Sequence, residues 1–153
     1  MNRELHEKII QQVINELRAR DIDAYVILTS EGSDHIFKFI PGVGTVGSGA
    51  FIFTKDNKRY GISTRIDAQD IEESGLFTEV IKYEAYDDAV AGVIKKINPA
   101  RIALNFSREH PECDGLTMGR YLRFKGSLDR DVKFEEVSSD CFIPEIMKRY
   151  PLQ

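Results

Sequence analysis

The sequence predicts an α/β domain built on a mixed sheet of about six strands flanked by helices. Three observations lead there. Short apolar runs rich in β-branched and aromatic residues recur along the chain, amphipathic stretches of helical period alternate with most of them, and one pair of runs is joined directly by a polar turn, Lys55-Asp56-Asn57-Lys58. Alternation of strand and helix gives mainly parallel pairing, and the single hairpin makes the sheet mixed. With 153 residues the chain fits one domain.

The elements follow in order. Leu5, Ile9, Val13 and Leu17 recur every fourth residue, with Ile10 and Ile14 beside them and Glu7, Lys8, Gln11, Gln12 and Glu16 opposite. That pattern predicts an amphipathic helix over 3–19. Next, AYVIL at 24–28 is a continuous apolar run, the pattern of a strand covered on both faces. Residues 33–39 read as a short helix that Pro41 breaks. The runs AFIFT (50–54) and RYGIS (59–63) flank the polar turn as an antiparallel pair. A short helix is expected over 66–74 and a strand over 79–83. Tyr86, Ala89, Val90, Val93, Ile94 and Ile97 mark one helical face, with Asp87 and Asp88 at the positive first turn and Asn98-Pro99 as the stop. A strand over 101–105 follows. Asp114 is expected to cap a helix over 115–127, with Leu116, Tyr121, Leu122 and Leu128 facing inward. A last strand over 132–136 precedes a final short helix, opened by Ser138-Ser139-Asp140 and stopped near Pro151.

Composition removes several function classes. A net charge of −4 with no basic stripe argues against nucleic acid and anionic membrane as partners. Cys113 and Cys141 show no C-x-x-C spacing, so neither a disulfide framework nor a zinc knuckle is indicated, and a reducing cytoplasm is expected. The N-terminal stretch MNRELHEKIIQQVINELRAR has charges throughout and is neither a signal peptide nor a membrane span.

Four places carry candidate chemistry. Gly42-Val43-Gly44-Thr45-Val46-Gly47-Ser48-Gly49 contains a literal G-x-G-x-x-G, and an acidic residue, Asp67, lies at a suitable distance beyond it. A dinucleotide site needs a helix to open immediately after the glycines, because its N-terminal amides hold the pyrophosphate. Here the strand AFIFT follows instead, so the stretch reads as a mobile surface loop. The cluster Arg108-Glu109-His110-Pro111-Glu112-Cys113-Asp114 gathers ligand-type residues, but Pro111 breaks helical spacing, and His6, His35 and His110 lie in unrelated segments. It reads as a polar loop. Ser30 and Ser33 lie near His35 after a central strand, without a G-x-S-x-G elbow. Arg65, just beyond the strand 59–63, could present a guanidinium to a carboxylate or serve in a structural pair.

Taken together these segments resemble the N-terminal, non-catalytic domain of the creatinase, prolidase and Xaa-Pro aminopeptidase family. The residues that carry the resemblance are Asp23-Ala24-Tyr25-Val26-Ile27-Leu28-Thr29-Ser30, Phe39-Ile40-Pro41-Gly42-Val43, Gly49-Ala50-Phe51-Ile52-Phe53-Thr54-Lys55-Asp56-Asn57 and Ser63-Thr64-Arg65-Ile66, with Ile102-Ala103-Leu104-Asn105 and Asp114-Gly115-Leu116-Thr117 downstream. Pro41 replaces the family's threonine in Y-L-T-G-F, and Ser63 and Ile66 replace the aspartate and tyrosine around its arginine.

The resemblance implies a ribonuclease H-like α/β domain over 1–140, with 141–153 beginning a linker helix toward a C-terminal catalytic domain of pita-bread type. That domain would hold two divalent metals, manganese or cobalt, through Asp, Asp, His, Glu and Glu. It would act on a peptide as an Xaa-Pro aminopeptidase or dipeptidase. No catalytic residue and no metal ligand is implied in this chain, which is expected to be silent alone because nothing in it would activate a metal-bound water. His35, Gly42, Gly44 and Arg65 are the implied residues of substrate access or partner-domain contact, and a homodimer is the implied assembly. The chain is then a piece of a longer protein or a separately encoded domain. Two other readings stand beside this one: a stand-alone ligand- or protein-binding module, and an enzyme using the Ser30 to His35 segment.

Overall fold

The computed structural model describes residues 1–151. Its helices are α1 (Arg3–Arg20), α2 (Arg65–Ser74), α3 (Tyr86–Ile97), α4 (Met118–Ser127) and α5 (Ile143–Arg149). Its strands are β1 (Ala24–Ser30), β2 (Ser48–Thr54), β3 (Arg59–Ser63), β4 (Glu79–Lys82), β5 (Arg101–Leu104) and β6 (Glu135–Ser138). They form one six-stranded sheet in the order β4-β3-β2-β1-β5-β6. β2 runs antiparallel to both β1 and β3, while the pairs β3–β4, β1–β5 and β5–β6 are parallel. The mixed α/β architecture read from the sequence is therefore the one observed.

Alternation along the central strands sends side chains to two cores. Tyr25, Ile27, Phe51 and Phe53 face one side, where Ile9, Val13 and Leu17 of α1, Ile71 of α2 and Ile143 and Ile146 of α5 cover them. Ala24, Val26, Leu28, Ala50 and Ile52 face the other side, under Val90, Val93 and Ile94 of α3 and Phe124 of α4. Burying a side chain of this kind contributes about 1.5–3 kcal/mol, so the two layers fix the register of the middle strands.

Local chemistry sets most ends. The Asn2 side chain accepts the Leu5 N–H at 3.1 Å to start α1, and Asp21 closes it in the left-handed region at φ 54°. The turn Thr54–Arg59 makes the expected hairpin, with Ala50 opposite Ile62 and Phe53 opposite Arg59. No helix among the described residues is long and apolar enough to cross a membrane.

The second half departs from expectation in three places. α4 begins at Met118, capped by Thr117, whose Oγ1 accepts the Arg120 N–H at 3.3 Å; Asp114 instead accepts the Ser107 N–H at 3.0 Å and holds the preceding loop. Leu122, expected inside, is 61% exposed, and Phe124 takes the inward place. The last strand lies at Glu135–Ser138, three residues later than expected, because Arg101 pairs with Glu135 and Leu104 with Ser138 while Val132 and Phe134 pack on the α3–α4 core. The final helix opens with a 3-10 turn at Ser139–Cys141 and continues as α5, whose Phe142, Ile143 and Ile146 share the core of α1. Of the expected linker 141–153, Leu152 and Gln153 lie outside the described residues.

Candidate functional site

Because β2 is reversed, its first residue, Ser48, lies at the same edge as the carboxyl ends Ser30, Ser63, Lys82, Leu104 and Ser138. The loops 31–47, 83–85 and 105–117 and the starts of α2 and α5 gather there. In open α/β sheets this is the edge where ligands and partners are met.

The glycine segment belongs to the loop 31–47 and is held at several points. Asp34 caps a 3-10 turn (His35–Lys38) by accepting the Ile36 N–H at 3.1 Å. His6, on the apolar side of α1 and only 6% exposed, uses Nδ1–H to reach the Phe39 carbonyl at 2.9 Å. Since a carbonyl only accepts, that nitrogen carries the proton. The imidazole covers Gly42, which adopts φ +88°; a Cβ there would stand 2.4 Å from Nε2. Only glycine suits both the backbone and the space. Gly44 is closed off in the same way, since a Cβ there would stand 2.8 Å from the Phe37 ring. At the far end, the Asp67 carboxylate accepts the Val46 N–H at 3.1 Å, the Gly47 N–H at 3.0 Å and the Thr64 hydroxyl at 3.1 Å. The loop expected to be mobile is thus tied to α1 at one end and to α2 at the other.

The same bonds dispose of the dinucleotide reading. The two successive amides that could cradle a phosphate already face a carboxylate, and the glycines lead into β2. An anion would have to displace Asp67.

His35 is exposed, and among the described residues it makes no hydrogen bond to Ser30 or Ser33. Ser33 Oγ accepts the Ser30 N–H at 3.1 Å and lies 3.4 Å from Thr29 Oγ1, while Ser30 Oγ lies 3.3 Å from Ser48 Oγ. These are turn-closing contacts and provide no nucleophile–base pair. Arg65 is the first residue of α2, exposed, with no ion pair among the described residues; Ile66 beside it is 89% exposed. Asp67, one turn into α2, links this corner to the glycine loop, so His35, Gly42, Gly44 and Arg65 all lie at one edge.

The cluster 108–114 forms a loop around the 3-10 turn Pro111–Cys113, with His110 Nδ1 3.3 Å from Glu112 Oε1. Cys113 is fully buried, and burial pushes its thiol up to about 12, which leaves it inert as a nucleophile. Among the described residues no three His, Cys, Asp or Glu side chains are grouped to hold a metal.

Two features of this edge escaped the sequence reading. Asn105, at the end of β5, donates to Asp34 Oδ2 at 2.7 Å and accepts from the Tyr25 and Ser139 hydroxyls, each at 2.7 Å. This buried node ties the residues just past β5 and β6 to Tyr25 of β1 and to Asp34 in the loop that follows β1; burial raises the Asp34 carboxyl above its ordinary range and pushes the Tyr25 phenol well up. The second feature is Arg120, which donates to Ser48 Oγ at 3.0 Å, while Tyr83 and Tyr86 donate to the Ser48 and Gly49 carbonyls at 2.9 and 3.0 Å. A polar residue ending a buried run was the available signal for Asn105.

No protein-family model and no curated protein matches the chain. Solved structures do. The X-Pro aminopeptidase from Thermotoga maritima superposes with a TM-score of 0.69 at 15% identity, over 94% of this chain and 36% of that one. The Xaa-Pro dipeptidase from Bacillus anthracis gives 0.63 at 18% identity, over 87% and 34%. The creatinase/prolidase-like N-terminal domain of a protein described as a metallopeptidase, from Corynebacterium diphtheriae, gives 0.62 at 16% identity, over 88% and 97%. This chain therefore spans about a third of the two full peptidases and nearly all of the isolated domain. The likeness is one of fold: the mixed six-stranded sheet flanked by helices is that of the N-terminal domain.

Proposed function

We propose that this chain is the non-catalytic N-terminal domain of an Xaa-Pro aminopeptidase or dipeptidase, contributing to dimerisation and substrate access. The observation that supports it is the fold match, over 88% of this chain and 97% of the other, to a creatinase/prolidase-like N-terminal domain, with a similar match to about a third of two proline-specific peptidases. In this reading residues 1–140 form the domain and 141–153 lead toward the protein's own C-terminal catalytic domain, where two divalent metals, manganese or cobalt, would activate water to cleave a peptide. The assembly is a cytoplasmic homodimer. His35, Gly42, Gly44 and Arg65 serve substrate access or partner-domain contact; the held loop supports this role, because a surface that meets another domain gains by being ordered beforehand.

The test is the coding sequence past Gln153 and the activity of its product. An Asp, Asp, His, Glu, Glu metal set and manganese- or cobalt-dependent cleavage of Xaa-Pro dipeptides are expected, with Arg65→Ala lowering kcat/KM roughly tenfold. A downstream sequence without those ligands overturns the proposal.

A further inference from the structure

Three tyrosines are buried in this fold, and two of them account for their hydroxyls. Tyr25 donates to Asn105 and Tyr86 to the Gly49 carbonyl, as a phenol taken out of water should. Tyr60, on β3, is only 3% exposed, and its hydroxyl has no hydrogen-bond partner among the described residues. A hydroxyl sealed away without a partner is costly, and among the described residues no side-chain oxygen or nitrogen shut off from water is left in that state. The Tyr60 oxygen therefore opens onto a hollow.

Tyr60 borders two hollows. The one along β4 and α3 is mainly apolar. The other, of about 250 Å³, lies at the amino edge between the β2–β3 turn and the last turn of α3, with the buried Thr54 and Tyr60 as its inner wall and Lys55, Lys58 and Lys96 around them. The three ammonium groups are not equally committed. Lys55 is held by Asp21 and Asp23, each at 2.8 Å. Lys58 stands 4.0 Å from Asp56, and Lys96 stands 3.9 Å from Glu79 while its ammonium lies 5.8 Å from the centre of the Tyr60 ring. Both of these pairs are longer than a hydrogen bond, so both ammonium groups keep donors to give. On the acidic side, Asp23 already accepts the Ala100 and Arg101 amides, and Asp56 accepts the Thr54 hydroxyl and is 65% exposed, so water screens its charge. Lys95 and Lys96, in the last turn of α3, offset the negative end of that helix.

We infer that this hollow binds a small dianionic oxyanion of the phosphate class, with Lys58 and Lys96 supplying the charge and the Tyr60 hydroxyl donating the hydrogen bond that its burial leaves unused. The hollow is smaller than a pocket for a drug-sized ligand, which suits a group of this size. It lies at the edge of the sheet opposite His35, Gly42, Gly44 and Arg65, and so stands independently of the function proposed above.

An NMR titration of backbone amides of the chain with inorganic phosphate, at an ionic strength held constant with sodium chloride, tests it. Saturable shifts at residues 54–58 and 96–97 are expected, with a Kd on the order of 1 mM. Lys58→Met and Lys96→Met should each weaken binding about tenfold and Tyr60→Phe about fivefold, whereas Lys133→Met, at an exposed lysine elsewhere, should leave it unchanged. Because the phenol hydroxyl bonds nothing in the fold, Tyr60→Phe should keep the parent's thermal midpoint, which separates a ligand contact from a structural one. Acetate, with a single charge, should bind about tenfold more weakly than phosphate. The inference is overturned by shifts that do not saturate or that chloride reproduces, by shifts confined to the β4–α3 side, by acetate binding as tightly as phosphate, or by a Tyr60→Phe variant that binds phosphate as the parent does. A lowered midpoint for Tyr60→Phe overturns it too, since the hydroxyl would then be held within the fold.

Discussion

The two edges of the sheet each depend on an aspartate, and the two are held in opposite ways. At the amino edge, Asp23 accepts the Ala100 and Arg101 amides at 2.7 and 3.0 Å and pairs with Lys55 at 2.8 Å. Lys55 also reaches Asp21 at 2.8 Å, and Arg101 reaches Glu135 at 3.1 Å, all in contact with water. At the carboxyl edge, Asp34 is fully buried, and its partners are the neutral Asn105 amide and the Ile36 N–H. Partial burial pushes the Asp23 carboxyl up, but the Lys55 ammonium and the two amides outweigh it and hold it below the ordinary 3.8. Burial likewise pushes Asp34 up, and there its neutral partners do not compensate, so it stays above 3.8. A carboxylate is steadied by charge and water at one edge, while at the other it is trapped as a structural acceptor.

The largest effect should come from the buried node. Asn105→Ala strips a donor from Asp34 and an acceptor from both Tyr25 and Ser139, and should cost about 3 kcal/mol in urea unfolding. A loss under about 1 kcal/mol would mean that water replaces the amide and that the two edges are less different than their burial indicates.

Next is the clamp on the glycine loop. Gly42→Ala should cost about 2 kcal/mol, since it meets both the positive φ and the His6 ring, and adding His6→Ala should recover part of that loss. Strict additivity of the two substitutions would show that the ring does not hold the loop.

A pH series then sets the two aspartates against each other. Asp34, raised, contributes stability that is fully present below 3.8 and is lost as pH climbs through its folded value. Asp23, lowered, contributes stability present above 3.8 and lost as pH falls through its folded value. The parent's advantage over Asp34→Asn should therefore be greatest in acid and shrink upward, whereas its advantage over Asp23→Asn should be greatest above 3.8 and vanish in acid. Parallel curves for the two variants would break the comparison. The smallest change is expected for Lys55→Met, visible at low salt as a slight drop in unfolding midpoint and erased by added salt.

The layers of this domain were legible because their signals are local. AYVIL, AFIFT and RYGIS announce strands, and the spacing of Ile9, Val13 and Leu17 announces a helix, whatever the rest of the chain does. The errors fell where two local signals competed. Asp114 and Thr117 can each cap a helix, and the choice was made by Ser107, whose N–H claimed the aspartate. The strand near 132–136 slid to Glu135–Ser138 because β5 dictated the register and Phe134 was drawn toward Phe124.

At the site the balance is different. The position of the glycine loop, and its mismatch with a dinucleotide fingerprint, followed from the strand after it. Its anchors did not, because they join residues distant in sequence: Gly47 to Asp67 across 20 positions, His6 to Phe39 across 33, Asp34 to Asn105 across 71. What the sequence by itself determined is the alternation of helix and strand, hence the α/β layers, since hydrophobic period is a property of neighbouring residues. Which polar residues meet at the carboxyl edge was decided only when the reversed β2 brought its amino end among the carboxyl ends of five other strands, a neighbourhood that exists nowhere along the chain.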